Sequence, residues 1–402
     1  MRKIILIGLL VLESASLAAQ TRTFAWYDKY TYDAYQRKDW NEVITVGKEA
    51  IEDGFDFFYL RLRIGIAYYE QEKYRASIPY FEKALEFNSD DPLTVEYLYY
   101  AYKFSGRALD AGLVYSEYKP QAKSRSIKSP NGFVTGFYSE AGLKMIGPST
   151  PDFGTLKYVH IGAQQQLGSR LNLYQGYARI SQNIYNNEWV STGQGFRQSY
   201  VTLSTTKYVQ NEYYAKATFP ILKGLQLVGS IHLQSITDTV SYNNQAFLGG
   251  ISTSFKPLDI YASYGFAEVN SIQHNQFTLG STIYPTLNMN MYIQTTFTYH
   301  SSEGSSNTVA YGKLGLRTGK NTWFEFYGSF GDLRNVQELD GFYFYNLTDK
   351  LRNRAGVTSI FLLGKKVKLF AGYSIENHTE ETNELDYKQH YLFTGLKFEL
   401  KN

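Results

Sequence analysis

The chain has 402 residues and a formal net charge of +3, and its 37 Tyr and 26 Phe contrast with 4 Trp, 4 Met and no Cys. The lack of Cys excludes disulfides and thiolate metal sites, and the near-balanced charge gives no indication of a nucleic-acid partner. A mean hydropathy of −0.35 with so many aromatic residues favours alternating strands over membrane helices.

The N-terminus has the pattern of a secretory signal peptide. Basic Arg2 and Lys3 precede an apolar run over 4–11, and small residues between Ser14 and Ala19 offer a cleavage site. The run is too short for a spanning helix, and no other stretch approaches the roughly 20 apolar residues that a helix needs. We therefore predict a signal peptide over 1–19, and a mature chain that meets a membrane only through strands.

Residues 20–118 have helical periodicity and a repeat of 34 residues. In the middle repeat, Gly65 and Ser77 are small enough for two helices to cross closely, and Tyr68 and Phe81 fill the seam between them. This pattern resembles the tetratricopeptide repeat (TPR), and it predicts three periplasmic units of two helices each.

The TPR resemblance implies that the concave face binds an extended peptide or a helix of a periplasmic or envelope protein. The residues it assigns to that face are Tyr59, Leu62, Ile66 and Tyr69 of the middle repeat and Leu93, Glu96, Tyr100 and Lys103 of the third. In the alternative interpretation, several of these side chains only pack against a neighbouring repeat or against the following domain.

The segment 119–130 breaks the helical pattern and contains four basic residues and no acidic one. It predicts a basic linker bounded by Pro120 and Pro130. The linker would lie near phospholipid head groups of the outer membrane or would simply be solvated.

After Asn131 the hydrophobic period changes from about 3.6 to 2. Alternation is clearest over 225–234, 258–267, 287–300 and 366–376, and each segment is long enough for a tilted strand to cross the hydrocarbon. Only a closed sheet pairs every backbone group in lipid, so 131–402 predicts an antiparallel outer-membrane β-barrel of about fourteen strands, with twelve as the alternative. A soluble sandwich shares the alternation, but long strands, aromatic residues near strand ends and alternating loop lengths favour the barrel.

Connections between the predicted strands alternate in length. Those expected to be short, on the periplasmic side, are 167–170, 222–224, 256–257, 284–286, 318–320 and 364–365. Those expected to be long are 145–155, 184–208, 238–242, 270–274, 301–306, 332–352 and 379–386. Basic residues such as Lys223 gather at the short turns and acidic ones such as Asp340 in the long loops. This segregation fits either an inner mouth that attracts an anionic polymer or simple contact with lipid phosphates.

Polar residues at inward positions predict the lining of the lumen. They are Glu212, Lys216, Gln226, His232, Asn290, Gln294, Lys313 and Glu325. Such residues line a water-filled channel or join in a cross-linked plug, and the many inward Tyr favour a narrow or filled interior.

The sequence contains no motif for catalysis. Its six His lack metal-ligand spacing, and neither HExxH nor a paired carboxylate motif occurs. The one close His/Ser group, His300 with Ser301 and Ser302, lacks the orienting residue and oxyanion site that a hydrolase needs. We therefore predict no enzyme activity, no metal and no cofactor.

Two barrel stretches, 167–177 and 220–227, resemble those of YaiO-type outer-membrane proteins that carry TPR repeats. That family has no well-defined biochemical role. The architecture is also similar to that of polysaccharide exporters, which implies a periplasmic domain that docks an envelope protein or meets a polysaccharide below the pore. The leading hypothesis is a non-enzymatic barrel that assists export or envelope assembly. The alternatives are a general diffusion pore and, third, a barrel enzyme.

Overall fold

The structure is a computed structural model that describes residues 22–129, 132–147, 153–191, 198–238, 241–364, 366–381 and 385–400. In these ranges, seven helices precede a closed antiparallel barrel of fourteen strands. The predicted fold class is therefore confirmed, and so is the strand number. The predicted signal peptide lies outside the described residues.

Six helices form three consecutive hairpins. Their bounds are α1 Phe24–Gln36, α2 Trp40–Glu52, α3 Phe58–Glu70, α4 Tyr74–Phe87, α5 Pro92–Phe104 and α6 Ala108–Glu117. Helices α1, α3 and α5 begin at residues 24, 58 and 92, and α2, α4 and α6 at 40, 74 and 108, so the helices follow the 34-residue repeat in the sequence. None of the described helices is both long and apolar enough to cross a membrane.

The middle hairpin shows why the repeat needs a glycine. A Cβ atom at Gly65 would lie 2.5 Å from Cε1 of Phe81, which is fully buried between α3 and α4. Only a glycine lets the ring and the helix backbone approach this closely.

The predicted linker over 119–130 is mostly part of the helical domain. Residues Lys119–Ser124 form a seventh helix, α7, with Pro120 in its first turn. Ala122 and Ile127 are buried against the third repeat, which the basic composition of this segment did not indicate. The helical domain therefore comprises residues 22–127.

The strands follow one another around the barrel. Their bounds are β1 Gly132–Ile146, β2 Leu156–Leu167, β3 Leu171–Ser191, β4 Gln198–Leu222, β5 Leu225–Thr237, β6 Ser241–Ser254, β7 Leu258–Val269, β8 Ile272–Ile283, β9 Met291–Ser302, β10 Ser305–Arg317, β11 Thr322–Phe330, β14 Lys350–Leu363, β15 Val367–Thr379 and β16 Asp386–Glu399. A separate hairpin of β12 Gln337–Glu338 and β13 Tyr343–Phe344 lies between β11 and β14. Pairing of β1 with β16 closes the barrel.

Side chains alternate between the lumen and the exterior as the sequence predicts for 225–234, 258–267 and 366–376. In β5, for example, Leu227 and Leu233 are exposed on the outside, whereas His232 and Gln234 are buried inside. Large apolar side chains cover most of the exterior in this way, which is the surface that a lipid-embedded barrel presents.

Several predicted loop bounds are wrong. The expected long loop over 184–208 is mostly strand, because β3 runs to Ser191 and β4 starts at Gln198. The expected long loops over 270–274 and 301–306 are tight turns, which Asn270 (φ 50°) and Gly304 (φ 75°) permit by adopting left-handed backbone conformations. The strand expected from 287 starts at Met291, because 284–290 is a turn that contacts the helical domain.

Candidate functional site in the barrel lumen

The connection between β11 and β14, residues 331–349, folds back into the lumen and is here termed the plug loop. It carries the β12–β13 hairpin, whose tip has positive φ angles at Leu339 (50°), Asp340 (59°) and Gly341 (78°). A left-handed backbone is unfavourable for Leu and Asp, so surrounding contacts must hold this tip in place. The sequence predicted an outer loop here, and its inward fold follows from apolar residues such as Leu333 and Phe344, which are buried.

The tip of the plug loop is bonded to β4 and β5. The Asp340 carboxylate pairs with Lys216 at 2.9 Å, and the Asp340 carbonyl accepts hydrogen bonds from Ser230 (2.6 Å) and Tyr214 (3.0 Å). Nδ1 of His232 lies 2.8 Å from the carbonyl oxygen of Gly341. These contacts fix the tip against one side of the lumen.

The first strand of the plug hairpin, β12, is held by other parts of the wall. Gln276 of β8 makes two hydrogen bonds to the backbone of Gln337, each 2.9 Å long. Elsewhere on the wall, Arg354 of β14 pairs with Glu338 at 2.8 Å, and Tyr345 donates a hydrogen bond to the same carboxylate at 2.9 Å. The plug loop thus bridges the barrel from β8 to β14.

The helical domain lies against the short-turn end of the barrel, and Arg75 of α4 is its central anchor. Its guanidinium makes two bonds of 2.8 Å to the carboxylate of Asp259 and lies 3.6 Å from the ring centre of Tyr284. Arg75 is only 3% exposed. A planar guanidinium suits both the bidentate pair and the aromatic face.

Further contacts join the helices to neighbouring short turns. The backbone N–H of Gly224 donates to the buried Asp110 at 3.0 Å, and Lys223 pairs with Glu117 at 2.8 Å. At another turn, Glu72 lies 3.4 Å from Arg317. The helical domain therefore covers the mouth at the β4–β5, β6–β7, β8–β9 and β10–β11 turns.

The plug loop and the helical domain divide the free space of the lumen. Two lower chambers of about 520 Å³ each lie between them, and both are lined by Lys216 and Gln226. An upper chamber of about 800 Å³ lies between the plug loop and the wall formed by β1–β4, β10, β11 and β14–β16. It extends from Asp238 and Glu380 at the long-loop end to Lys397 near the short-turn end. Leu339 borders all three chambers.

Tyrosines and paired charges dominate the upper chamber. Its tyrosines are Tyr138, Tyr158, Tyr208, Tyr242, Tyr311, Tyr327, Tyr343, Tyr345, Tyr387 and Tyr391. Lys313 pairs with Glu325 at 2.9 Å, and Lys144 with Glu376 at 2.8 Å. Glu140 accepts hydrogen bonds from the hydroxyls of Tyr138 and Tyr391. The lining therefore combines aromatic and aliphatic side chains, such as Ile146 and Leu156, with polar groups whose charge is mostly neutralised within the wall.

Seven of the eight residues predicted to line the lumen lie there. Glu212 and His232 are brought within 3.4 Å of each other, and Lys313 pairs with Glu325 as described above. Lys216 holds the plug tip, while Gln226 and Gln294 line the lower space. The sequence identified these residues singly, and their pairing is visible only in the fold.

Asn290 is the exception, and its assignment to the lumen is corrected. It lies in the 284–290 turn, where its amide contacts Glu72 of the helical domain (3.4 Å) and Arg317 (3.0 Å). The alternation that placed it in a strand continues into this turn because Leu287 packs against helices rather than lipid.

The predicted partner-binding face of the helices is partly inaccessible. Leu62 and Ile66 are buried against the third repeat, so their assignment to a binding face is corrected. Tyr59 is exposed, and Glu96 pairs with Arg125. Leu93 is half-buried, and so is Lys103, whose pKa is lowered by burial.

Tyr69 and Tyr100 belong to an aromatic cluster on α3–α5 that ends at the exposed Phe104. The ring centres of Tyr69 and Tyr97 are 5.0 Å apart, and those of Tyr100 and Phe104 are 5.8 Å apart. Phe104 is 45% exposed, which leaves an apolar edge on the surface of the helical domain.

Sequence reasoning missed the plug loop and the anchor Arg75. The plug loop contains a run that is unusually aromatic for a solvated loop, Gly341-Phe342-Tyr343-Phe344-Tyr345. This composition could have indicated that the loop is buried. Arg75 carries no such signal, because its partner is 184 residues away in the sequence. Among the described residues, no group of three or more His, Asp or Glu side chains could hold a metal ion.

No protein-family model matches the sequence, and no curated protein matches it either. Among solved structures, the Pseudomonas putida toluene transporter TodX is similar over 67% of this chain and 91% of its own, with 8% identity and a TM-score of 0.46. A Pseudomonas aeruginosa FadL homologue is similar over 67% of this chain and 90% of its own, with 8% identity and a TM-score of 0.41. A bacterial polysaccharide outer membrane secretin is similar over 67% of this chain and 100% of its own, with 10% identity and a TM-score of 0.38.

Proposed function

We propose that this protein is a gated, non-enzymatic conduit of the bacterial outer membrane for a neutral, hydroxyl-rich chain such as a polysaccharide. In this proposal the plug loop is the gate and the helical domain stands below the mouth in the periplasm. The observation that carries the proposal is the upper chamber, where tyrosines and neutralised charge pairs line a path between the plug loop and the β14–β16 wall.

The membrane placement rests on the exterior of the barrel. Exposed apolar side chains cover its outer wall, and a closed sheet leaves no unpaired edge for lipid to meet. The longest connections, such as the plug loop, lie at one end, as they do on the outer side of such barrels, and the helical domain contacts the other end.

The chemistry of the lining favours a saccharide over a hydrocarbon or an ion. Tyrosine rings offer flat apolar faces for sugar rings, and their hydroxyls with nearby amides offer hydrogen bonds to sugar hydroxyls. A hydrocarbon would desolvate the faces of Lys313 and Glu325 that remain exposed, 17% of each side chain, without offering them a polar partner. Because the charges are paired within the wall, they give little attraction for a polyanion.

Planar-bilayer recordings test this function. A Glu338→Ala/Asp340→Ala variant lacks the two ion pairs that join the plug hairpin to the barrel wall, so we expect it to open. Neutral oligosaccharides should then interrupt its current, and Tyr391→Leu in the same background should weaken the block. Tyr373→Leu is the matched control, because Tyr373 is on the adjacent strand but faces outward. Failure of every neutral oligosaccharide to block the open variant would contradict the substrate class.

The helical domain supports a second element of the proposal, the docking of a periplasmic or envelope protein. The observation that favours it is the aromatic cluster that ends at the exposed Phe104. Affinity capture with the full chain should recover a partner that a Tyr100→Ala/Phe104→Ala variant loses. Phe87→Ala, at another exposed aromatic position, serves as the control. Equal recovery by all three proteins would contradict docking at this cluster.

A further inference from the structure

A chain of polar side chains crosses the exterior of β2, β3 and β4. The Gln175 amide nitrogen donates to Gln165 at 3.1 Å, and the Gln175 carbonyl oxygen accepts from the Tyr213 hydroxyl at 2.8 Å. Towards the long-loop end, the side chain of Asn211 accepts hydrogen bonds from Tyr177 (2.6 Å) and Arg179 (3.1 Å). These six residues are here termed the polar stripe.

The polar stripe faces the same side as the apolar exterior. On β3 and β4 the residues that face the lumen, such as Tyr174, Glu212 and Tyr214, occupy the even positions, and the stripe occupies the odd ones. Gln175 is four residues from the inner end of β3 at Leu171, and about ten residues of a tilted strand span the hydrocarbon, so its amide lies within the apolar layer. The corresponding exterior of β5 presents Leu227, Ile231 and Leu233 instead.

In an isolated barrel, some side-chain hydrogen-bond donors of the polar stripe would lack an acceptor. An amide group has two N–H donors, and within the described part of the chain the side-chain N–H groups of Gln165 have no acceptor. Lipid tails offer none, and an unsatisfied polar group in hydrocarbon costs several kcal/mol. Small residues flank the central amide, because Ala163 of β2 and Ala215 of β4 stand opposite Gln175 in the two ladders.

We propose that the polar stripe is the contact between two copies of this chain in the membrane. The proposal rests on the membrane placement proposed above. Amides both donate and accept, so two identical stripes related by a two-fold axis are complementary to each other. The alanines allow the two walls to approach closely, as small residues do in other membrane contacts. None of the contacts described above joins the helical domain to the exterior of β2 or β3.

Site-directed cross-linking of the full chain tests the pairing, because the protein has no Cys of its own. A single Ala215→Cys variant, treated in membranes with a short bis-maleimide, should give a cross-linked dimer. Thr295→Cys is the matched control, since it is outward on β9 on the far side of the barrel and should stay monomeric. Adding Gln175→Leu and Tyr213→Phe to Ala215→Cys should abolish the dimer. The introduced Leu and Phe side chains are apolar, so the barrel should still insert into lipid.

Mass measurement of the uncross-linked protein in nanodiscs completes the test. A two-copy mass that Gln175→Leu/Tyr213→Phe reduces to one copy is the expected result. A monomer with no cross-link at Ala215→Cys, or a heavier species containing another protein, overturns the pairing. Membrane fractionation of the same samples separates this failure from failure of the conduit proposal, since a monomeric barrel in the outer membrane contradicts only the pairing.

Discussion

The carboxylate of Asp340 lies 2.9 Å from the ammonium nitrogen of Lys216, and this ion pair joins the tip of the plug loop to the barrel wall. Both side chains are partly exposed to the chambers, at 26% and 32%. A pair at this exposure contributes up to about 1 kcal/mol, so in the proposed gate a competing ligand can break it.

Removing the ion pair between Asp340 and Lys216 should increase the fraction of time in which the plug loop leaves the barrel open. We expect Asp340→Ala to shift the balance between closed and open plug by about 1 kcal/mol, or roughly fivefold in the ratio of the two states. Single-channel open probability measures the shift. Lys216→Ala should have a similar effect, and the double variant should add little to either single one. Fully additive effects would show that the two residues do not act as a pair.

Arg75 should hold the helical domain on the barrel. In Arg75→Ala the Asp259 carboxylate loses its partner at a buried contact, and we expect a cost of about 3 kcal/mol in docking. Hydrogen exchange at the N–H of Gly224, which donates to Asp110, should become faster. Arg75→Met/Asp259→Leu should recover much of the protection, because neither charge is then left alone. Slow exchange in Arg75→Ala would contradict this role.

Gly65 should be essential to the middle helical hairpin. The Cβ of Gly65→Ala would lie 2.5 Å from the Phe81 ring, so we expect a loss of about 1–3 kcal/mol in the stability of the helices. Thermal unfolding followed by the helical circular dichroism signal measures it. Lys29→Ala, at an exposed helical position, should leave the midpoint unchanged. An unchanged midpoint in Gly65→Ala would mean that α3 and α4 are more loosely packed.

The pair between Asp56 and Arg61 should give the helical domain an acid-sensitive contribution. Hydrogen bonds of 2.6 and 2.8 Å from Arg61 hold the pKa of Asp56 below its usual 3.8. Because the folded pKa is lower than the unfolded one, the pair stabilises the fold above a pH of about 4, and this contribution is lost as the pH falls through the lowered pKa. Asp56→Asn should therefore lower the Tm at pH 7 but have a shrinking effect in acid. An equal difference in Tm between wild type and Asp56→Asn at pH 7 and in acid would contradict this role of the pair.

The large features of the fold follow from local patterns in the sequence. The 34-residue repeat predicts helices because each unit must bury the same face, and strict alternation predicts barrel strands because lumen and exterior differ in polarity. The pairing of β11 with β14 across the plug loop does not follow in the same way, because the sequence also allowed a barrel of twelve strands.

The parts that the sequence did not predict depend on contacts between distant residues. The inward path of 331–349 is decided by partners such as Gln276 and Arg354 on separate strands. The burial of Leu62 and Ile66 depends on how one repeat stacks on the next, since both residues have the spacing of an exposed groove. The spacing of apolar residues shows which side of a helix or loop is apolar, but it does not show which part of the protein that side packs against.

The most direct test of the account is the conductance of the full chain compared with a variant in which a short Gly/Ser linker replaces the plug hairpin, residues 337–344. We expect the wild-type barrel to be nearly silent in a planar bilayer and the variant to show large, steady openings. Large steady openings of the wild type, or a silent variant that still forms a folded barrel, would contradict the claim that the plug loop gates the lumen.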